Sequence, residues 1–425
     1  MNQDKQLKVK GKPKGQGVQG SLKLAGDTFE QATSRVHEFH RAISNMPFKA
    51  VGTATFTASK PVEQVHNEIT DLVYDIVKET GKGVFKTAGW LAQQWNETRP
   101  SREILSEVLQ AEQQLPVTPD NRHAKRLSLL SGAINGLLGD HLAATRNPIQ
   151  IKAGFYRESR LLDLSAQALS AEYPDASGHL VVFAHGLCCD ENVWNLYQDE
   201  TDPATTPYPD RLAKQFGVTP LCLRYNTGLN IEGNGRRYRR LLKRLVANWP
   251  VPVKSVVLVG HSMGGLISRV AVQDMGEADL ALSSVITDVI SLGSPHTGSP
   301  VARLAGKGEQ LFSQFELSRP VSKVLGVRST GIRNLQTGLG PLQTSDGQII
   351  DFHMMGATLG GQSGSWVDES LGDGLVQMSS ALADDTGKAQ RLAFSAKHHM
   401  RLVNDPEIYQ QIEAVIRRRL TPLIG

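Results

Sequence analysis

Cysteine is scarce in this chain of 425 residues, which contains only Cys188, Cys189 and Cys222. Cys188 and Cys189 are adjacent and cannot readily bridge to each other, and an odd number leaves at least one thiol unpaired. A fold held together by a disulfide framework is therefore excluded. We expect three free thiols, as in a cytoplasmic protein of a reducing compartment.

Long apolar runs are also absent. No stretch of about eighteen apolar residues occurs, so the sequence has no candidate for a membrane-spanning helix. Residues 1–14 are rich in Lys, Gly and Gln and have no apolar core, so we expect no secretory signal. Residues 1–58 are expected to form a basic, largely disordered arm. A solvated tail is the simpler interpretation, and peripheral contact with the inner face of an anionic membrane is the alternative.

Neither sign of charge is in large excess. Lys and Arg number 46 and Asp and Glu 42, which gives a net charge of +4 and does not argue for a nucleic-acid partner. The zinc, EF-hand and C-x-x-C motifs are missing, so we expect no metal and no cofactor. The length allows a large core and more than one domain, and it leaves the oligomeric state open.

A chemical motif follows an apolar run in the middle of the chain. The sequence Gly260-His261-Ser262-Met263-Gly264-Gly265 comes directly after the β-prone residues 255–259. In a G-x-S-x-G motif between a buried strand and a helix, the small flanking residues let the two backbones approach, and the tight turn exposes the serine hydroxyl. The pattern predicts that Ser262 is the nucleophile of a serine hydrolase.

A hydroxyl nucleophile needs a base and an acid that orients the base. When the serine lies in a strand-to-helix turn of this type, called a nucleophile elbow, the catalytic residues occur along the chain in the order serine, acid, histidine. Asp373 and the pair His398-His399 occur downstream of Ser262 in that order.

Two backbone donors are expected to stabilise the developing oxyanion. The predicted strand Leu180–Ala184 ends in His185-Gly186-Leu187, and Gly186 allows the chain to turn so that the Leu187 N–H faces the site. The second donor is the N–H of Met263, at the N-terminus of the helix after the serine. We expect His185 to brace this loop, and Asp190 and Glu191 to hold it by hydrogen bonds.

Elements alternate over residues 146–425, which predicts an α/β domain with a mostly parallel, doubly wound sheet. A helical region is predicted before it, over residues 59–145, from apolar residues at helical spacing. Residues 299–342 form either a lid or acyl-pocket insertion, or an ordinary pair of connecting helices. The predicted strands of the α/β domain are Leu180–Ala184, Val218–Tyr225, Ser255–Val259, Val285–Leu292, Gln348–Met355 and Arg391–Ser395. The predicted helices are Asp210–Gln215, Gly235–Asn248, Gly265–Met275 and Pro406–Leu420.

From about residue 178 onward the chain resembles the α/β-hydrolase superfamily, and within it the bacterial lipase and PGAP1-like esterase group. The matching segments are His185-Gly186-Leu187, Gly260 to Gly265, Leu292-Gly293-Ser294-Pro295-His296-Thr297-Gly298, Asp373-Gly374-Leu375-Val376 and His399-Met400-Arg401-Leu402. Two further segments resemble a PGAP1-like subgroup: Leu223 to Gly228 and Asn135 to Asp140.

This resemblance implies that Ser262 is the nucleophile, Asp373 the orienting acid and His399 the general base. His398 competes for the last role. We favour His399 because neighbouring side chains at a strand end point to opposite sides. Asp368 and Asp351 are rivals for the acid, and Asp351 falls inside a predicted strand, which is too early.

The activity implied is that of a carboxylic ester hydrolase, an esterase or lipase that acts through an acyl-enzyme on a small-molecule or lipid acyl ester. A thioesterase, phospholipase or acyltransferase on the same triad is the first alternative. A hydrolase fold used only for binding is the second.

Overall fold

The computed structural model describes part of residues 131–147 together with residues 150–199, 201–299, 329–341, 350–360, 372–384 and 387–420. The predicted arm over residues 1–58 lies outside the described residues. So do the predicted helices before residue 131 and the greater part of the predicted insertion over residues 299–342.

Within this part of the chain, eight strands form one sheet in the order β2-β1-β4-β3-β5-β6-β7-β8. β1 runs antiparallel to β2 and β4, and the strands from β3 to β8 are parallel. The strands are β1 (Gly154–Arg157), β2 (Arg160–Leu161), β3 (His179–Ala184), β4 (Thr219–Arg224), β5 (Ser255–His261), β6 (Ile286–Leu292), β7 (Asp351–Ala357) and β8 (Gln390–Phe394).

Helices lie on both faces of this sheet, which confirms the predicted α/β-hydrolase fold. They are α1 (Ala166–Glu172), α2 (Tyr208–Phe216), α3 (Ile231–Asn248), α4 (Met263–Val272), α5 (Leu280–Ser283), α6 (Thr330–Thr337), α7 (Met378–Ala381) and α8 (Pro406–Leu420). Short 3₁₀ helices occur at Glu191–Asn195, Pro203–Thr205, Glu277–Asp279 and His399–Val403. Among the described helices, none has the length and hydropathy needed to span a bilayer.

The central strands are apolar throughout because both of their faces are buried. Alternate residues of β3 and β5 enter different core clusters: Leu180, Val182 and Leu258 pack with helices α3 and α4. Val181 and Val257 pack on the other face with helices α2 and α8. The period of two along each strand therefore assigns the helices to the two layers.

The direction of strand addition reverses at β3, which lies between β4 and β5. In open α/β sheets a crevice forms at such a reversal, beyond the carboxyl ends of the strands. β3 ends at Ala184 and β5 ends at His261. The sequences that follow these two strands therefore meet at this crevice.

The predicted elements are largely confirmed, and the differences have local causes. Helix α8 begins and ends at the predicted residues. Helix α3 begins at Ile231 rather than at Gly235, and α4 spans Met263–Val272 rather than Gly265–Met275. The strand predicted over residues 348–355 is β7, which begins and ends later. Strands β1 and β2 were not predicted, because their turn places Glu158 and Ser159 at positive φ without the glycine or asparagine that marks such hairpins.

A buried ionic cluster lies near the start of β6, at the end of the strands that is opposite the crevice. The Asp288 carboxylate accepts hydrogen bonds from His353 at 2.9 Å, Arg418 at 3.1 Å and Arg419 at 2.7 Å. Burial alone would raise the pKa of Asp288, but hydrogen bonds from His353 and Arg419 outweigh it and lower the pKa to about 2. This carboxylate joins helix α8 to strands β6 and β7.

The Asp288 cluster predicts a specific loss of stability in acid. A carboxylate whose folded pKa lies below its unfolded value stabilises the fold above the unfolded pKa, and this contribution is lost as the pH falls from about 4 towards 2. We expect Asp288→Asn to remove about 2 kcal/mol of this pH dependence, measured by urea unfolding across that window. Asp351→Asn is the control, because Asp351 shares Arg418 and Arg419 but is 53% exposed. Equal pH slopes for the wild type and Asp288→Asn would contradict the assignment.

Candidate active site

Ser262 forms the turn between strand β5 and helix α4, in a backbone conformation that residues with side chains rarely adopt. Its φ is 54° and its ψ is −121°. The Ser262 N–H donates to the Leu292 carbonyl at 2.8 Å, and the Ser262 carbonyl accepts from the Gly265 N–H at 3.1 Å. The surroundings therefore hold a strained backbone in place, as expected for a nucleophile elbow.

The glycines of the motif make this turn possible. A Cβ atom on Gly260 would overlap the backbone of residues 264 and 265, and one on Gly264 would overlap the end of strand β3. A Cβ on Gly186 would lie 3.0 Å from the Cβ of Ser262. Close backbone approach from three directions therefore surrounds the serine.

Asp373 and His399 form a buried pair, with exposed fractions of 1% and 3%. The His399 Nδ1 lies 2.7 Å from the Asp373 Oδ2, and the His399 N–H donates to the Asp373 carbonyl at 2.9 Å. The other carboxylate oxygen accepts from the N–H groups of Leu375 at 3.0 Å and Val376 at 2.8 Å. Because an ionised carboxylate only accepts hydrogen bonds, Nδ1 carries the proton and Nε2 of His399 is left as the acceptor.

The loop after strand β6 connects this pair to the elbow. Leu292, the acceptor for the Ser262 N–H, is followed by Gly293 at a φ of 58°. A Cβ on Gly293 would lie 2.9 Å from the Asp373 Oδ2 and 3.1 Å from the His399 Nδ1. The structure therefore brings Ser262, Asp373 and His399 to one end of the sheet.

His398 has different surroundings. It precedes the 3₁₀ helix that starts at His399, and its ring packs edge-on against Tyr197 at a centroid distance of 5.7 Å. Burial, and then the proximity of His399, lower its pKa. The reason given for favouring His399 was wrong, because strand β8 ends at Phe394 and neither histidine is at a strand end. The hydrogen bond to Asp373 distinguishes the two instead.

A third histidine lies between the elbow and the Asp373–His399 pair. His261 packs against the His399 ring at a centroid distance of 4.6 Å, and its Nε2 donates to the His399 carbonyl at 3.1 Å. Burial, and then the charge that His399 can carry, lower the pKa of His261 well below its usual value. His261 is therefore a neutral residue that fixes the backbone of His399.

The predicted oxyanion loop is a tight turn that begins at Gly186. The Cys189 N–H donates to the Gly186 carbonyl at 3.3 Å, and the Cys188 N–H donates to the Thr227 hydroxyl at 3.2 Å. The N–H groups of Leu187 and Met263 donate to no residue that the structure describes.

His185 braces this loop, as predicted. Its Nδ1 donates to the Gly186 carbonyl at 2.9 Å, and its Nε2 accepts from the Tyr225 N–H at 3.3 Å. The Tyr225 ring stacks on it at 4.5 Å, and the Tyr225 hydroxyl donates to the His185 carbonyl at 2.8 Å. Burial lowers the pKa of His185 to about 4, so it is neutral near pH 7.

A buried ion pair anchors the far end of the same loop. The guanidinium of Arg224 contacts both carboxylate oxygens of Glu191, and both side chains are less than 10% exposed. The guanidinium also lies over the Tyr156 ring at 4.2 Å. The Asp190 carboxylate accepts a hydrogen bond from the Asn192 N–H at 2.9 Å and so caps the short helix after the loop. Hydrogen bonds are confirmed for both acids, with Glu191 bound to Arg224 and Asp190 to the helix that follows the loop; the role of Arg224 was not predicted.

The rival acid Asp351 lies elsewhere. Asp351 is the first residue of strand β7, at the edge of the sheet opposite the crevice, where it pairs with Arg418 and Arg419. Asp368 lies outside the described residues. In the same described part of the chain, no three His, Cys, Asp or Glu side chains are grouped as metal ligands would be.

Comparison with known proteins gives one family match. Residues 238–325, about a fifth of the chain, match the sequence model of the PGAP1-like alpha/beta domain, which confirms the predicted resemblance for that stretch. This stretch includes Ser262 but neither Asp373 nor His399. No curated protein sequence matches the chain.

Similar solved structures include three bacterial enzymes. The mature lipase BlEst2 of Bacillus licheniformis has 20% identity and a TM-score of 0.39, over 56% of this chain and 91% of that chain. A thermophilic esterase from Thermogutta terrifontis has 14% identity and a TM-score of 0.35, over 58% and 92%. The carboxylesterase CesB from Bacillus subtilis has 12% identity and a TM-score of 0.33, over 55% and 82%.

The packing of Gly293 predicts a variant that disturbs the Asp373–His399 pair. We expect Gly293→Ala to lower kcat for ester hydrolysis at least tenfold, because the new methyl group would crowd both atoms of the Asp373–His399 hydrogen bond. Gly387→Ala is the matched control, because Gly387 also has a positive φ, of 66°, but has no atom within 4 Å of the added Cβ. Both variants place a methyl group at a positive φ, but only Gly293→Ala also crowds its neighbours, which include the Leu402 side chain at 2.7 Å. Equal kcat values in steady-state assays would show that this contact does not affect the pair.

Proposed function

We propose that the chain is a serine carboxylic ester hydrolase, an esterase or lipase that acts through an acyl-enzyme intermediate. The observation that carries the proposal is the meeting of a strained serine and a buried, hydrogen-bonded Asp–His pair at the crevice of the sheet. A serine hydroxyl is a weak nucleophile unless a base is oriented beside it, and this arrangement supplies both parts.

In the proposed first step, the Nε2 of His399 takes the proton of the Ser262 hydroxyl as its oxygen attacks the ester carbonyl. Asp373 keeps the Nδ1 proton in place, so that Nε2 is the acceptor, and it stabilises the imidazolium that forms. The imidazolium then gives its proton to the leaving alcohol. In the second step, water is activated in the same way and releases the acid from Ser262.

The N–H groups of Leu187 and Met263 are the proposed oxyanion donors. Support for Leu187 comes from its neighbour, because the Cys188 N–H is already bonded to Thr227 while that of Leu187 is available. Met263 is the first residue of helix α4, where N–H groups lack partners within the helix. Loss of one such donor typically costs about a hundredfold or more in rate.

The proposed substrate is a small-molecule or lipid acyl ester. Peripheral contact with an anionic membrane through the basic residues 1–58 remains part of this proposal, as does a cytoplasmic location. Thioesters and phospholipids are hydrolysed by the same proton transfers, so the test of substrate class must include them.

The first experiment measures hydrolysis of p-nitrophenyl esters from short to long acyl chains, beside acyl thioesters and phospholipids, by the wild type and Ser262→Ala. We expect turnover and fluorophosphonate labelling by the wild type and neither by the variant, because Ser262 supplies the attacking oxygen. The best chain length then separates an esterase from a lipase. A wild-type protein that neither turns over an ester nor takes up the probe contradicts the proposal.

A second experiment separates the two neighbouring histidines. We expect His399→Gln to lower kcat about a thousandfold or more, because glutamine cannot accept the serine proton. His398→Gln should stay within a few-fold of the wild type, since its ring packs on Tyr197 and not on Asp373. Circular dichroism of both variants verifies that they fold. If His398→Gln lowered kcat far more than His399→Gln, the base would be assigned to His398.

A further inference from the structure

Helical residues between 131 and 144, named the Gly132 helix below, pack against the proposed oxyanion loop. Gly132, Gly136 and Gly139 are spaced by four and three residues and so share one face of the helix. A Cβ on Gly132 would lie 3.0 Å from the Cys188 carbonyl oxygen. One on Gly136 would overlap the Cys188 Sγ and lie 3.1 Å from its N and Cα. The loop and the helix therefore touch backbone to backbone.

The loop residue that meets this face is strained. Cys188 has a φ of 60°, in the third position of the turn from Gly186 to Cys189, where glycine or asparagine is usual. Such a conformation is strained and persists only where the surroundings enforce it. The peptide unit on the N-terminal side of Cys188 carries the Leu187 carbonyl, and the Leu187 N–H, the proposed donor, lies one peptide unit earlier in the same turn. A shift of Cys188 therefore moves the donor.

Three buried or half-buried hydrogen bonds hold the Gly132 helix in this position. The Asn226 amide donates to the Gly139 carbonyl at 3.0 Å, and the Ser329 hydroxyl donates to the Gly136 carbonyl at 2.6 Å. The Asp140 carboxylate accepts from the Thr330 N–H at 2.9 Å. The helix is therefore attached to the loop after strand β4 and to the start of helix α6, and not to the oxyanion loop alone.

We propose that the Gly132 helix sets the position of the Leu187 N–H, with Gly136 as the positioning residue, through its contact with the strained Cys188. This role rests on the proposed function, because it concerns the oxyanion donor of that reaction. Gly136 itself touches no substrate. It acts by leaving room for Cys188, so that the turn can close with the Leu187 N–H directed at the site.

The test is Gly136→Ala, studied in the full chain. The added methyl group occupies the space of the Cys188 Sγ, so we expect kcat for a p-nitrophenyl ester to fall at least about tenfold with KM within about threefold. The rate of fluorophosphonate labelling of Ser262 should fall in parallel, because that reaction also develops negative charge on an oxygen. Gly233→Ala is the matched control: Gly233 is also in a helix, and the nearest atom to its added Cβ is 3.9 Å away. It should keep wild-type rates.

Rescue distinguishes positioning from general damage. Cys188→Gly removes the overlapping sulfur atom and suits a positive φ, so we expect Gly136→Ala/Cys188→Gly to recover most of the lost kcat and labelling rate. If Gly136→Ala does not fold, Gly132→Ala decides, because its milder contact at 3.0 Å should give a smaller fall of the same kind. The proposal is overturned if the alanine variant that folds, Gly136→Ala or Gly132→Ala, keeps the wild-type kcat. It is also overturned if Gly136→Ala/Cys188→Gly has no higher kcat than Gly136→Ala.

The two proposals fail differently. A wild-type protein without labelling of Ser262 and without turnover removes the proposed function, and the role of Gly136 with it. Efficient labelling of the wild type, with equal labelling of Gly136→Ala, leaves the proposed function standing and removes the role of the Gly132 helix alone.

Discussion

Three backbone segments approach each other closely around Ser262, and the site is built on that contact. Strand β5, helix α4 and the end of strand β3 meet there with no room for a side chain at Gly260, Gly264 or Gly186. Because the serine holds a positive φ, a hydrogen bond to Leu292 and the close packing of these three segments must offset its strain. The parallel sheet is the rigid support for this turn, and its reversal of strand order at β3 creates the space beyond it.

Burial also determines which groups around the serine can carry charge. His185 and His261 are buried, and burial lowers both pKa values by more than their hydrogen bonds to backbone carbonyls raise them. A positively charged ring in either position would repel the imidazolium that the proposed mechanism forms on His399. The neutral neighbours therefore leave His399 as the histidine beside Ser262 that also has a carboxylate to stabilise its charged form.

Local signals explain what the sequence could predict. The apolar strands, the G-x-S-x-G elbow and helix α8 depend on neighbouring residues, and they were found in their predicted places. The Glu191–Arg224 pair and the contact of Gly136 with Cys188 join segments that are far apart in the sequence, so no local pattern indicates them. His399 was favoured on a mistaken assumption about strand ends, and the carboxylate of Asp373 is the physical reason for the choice.

The two core clusters differ in when they can form during synthesis of the chain. The cluster on the face of α3 and α4 draws mainly on residues before the end of β6, whereas the cluster on the other face includes Leu402, Tyr409 and Ile412. Chains emerge from the ribosome N-terminus first, and domains fold as units. A nascent chain that has exposed the elbow still lacks helix α8 and His399. The second core layer therefore cannot close, and the Asp373–His399 pair cannot form, until the C-terminal segment of the chain has emerged.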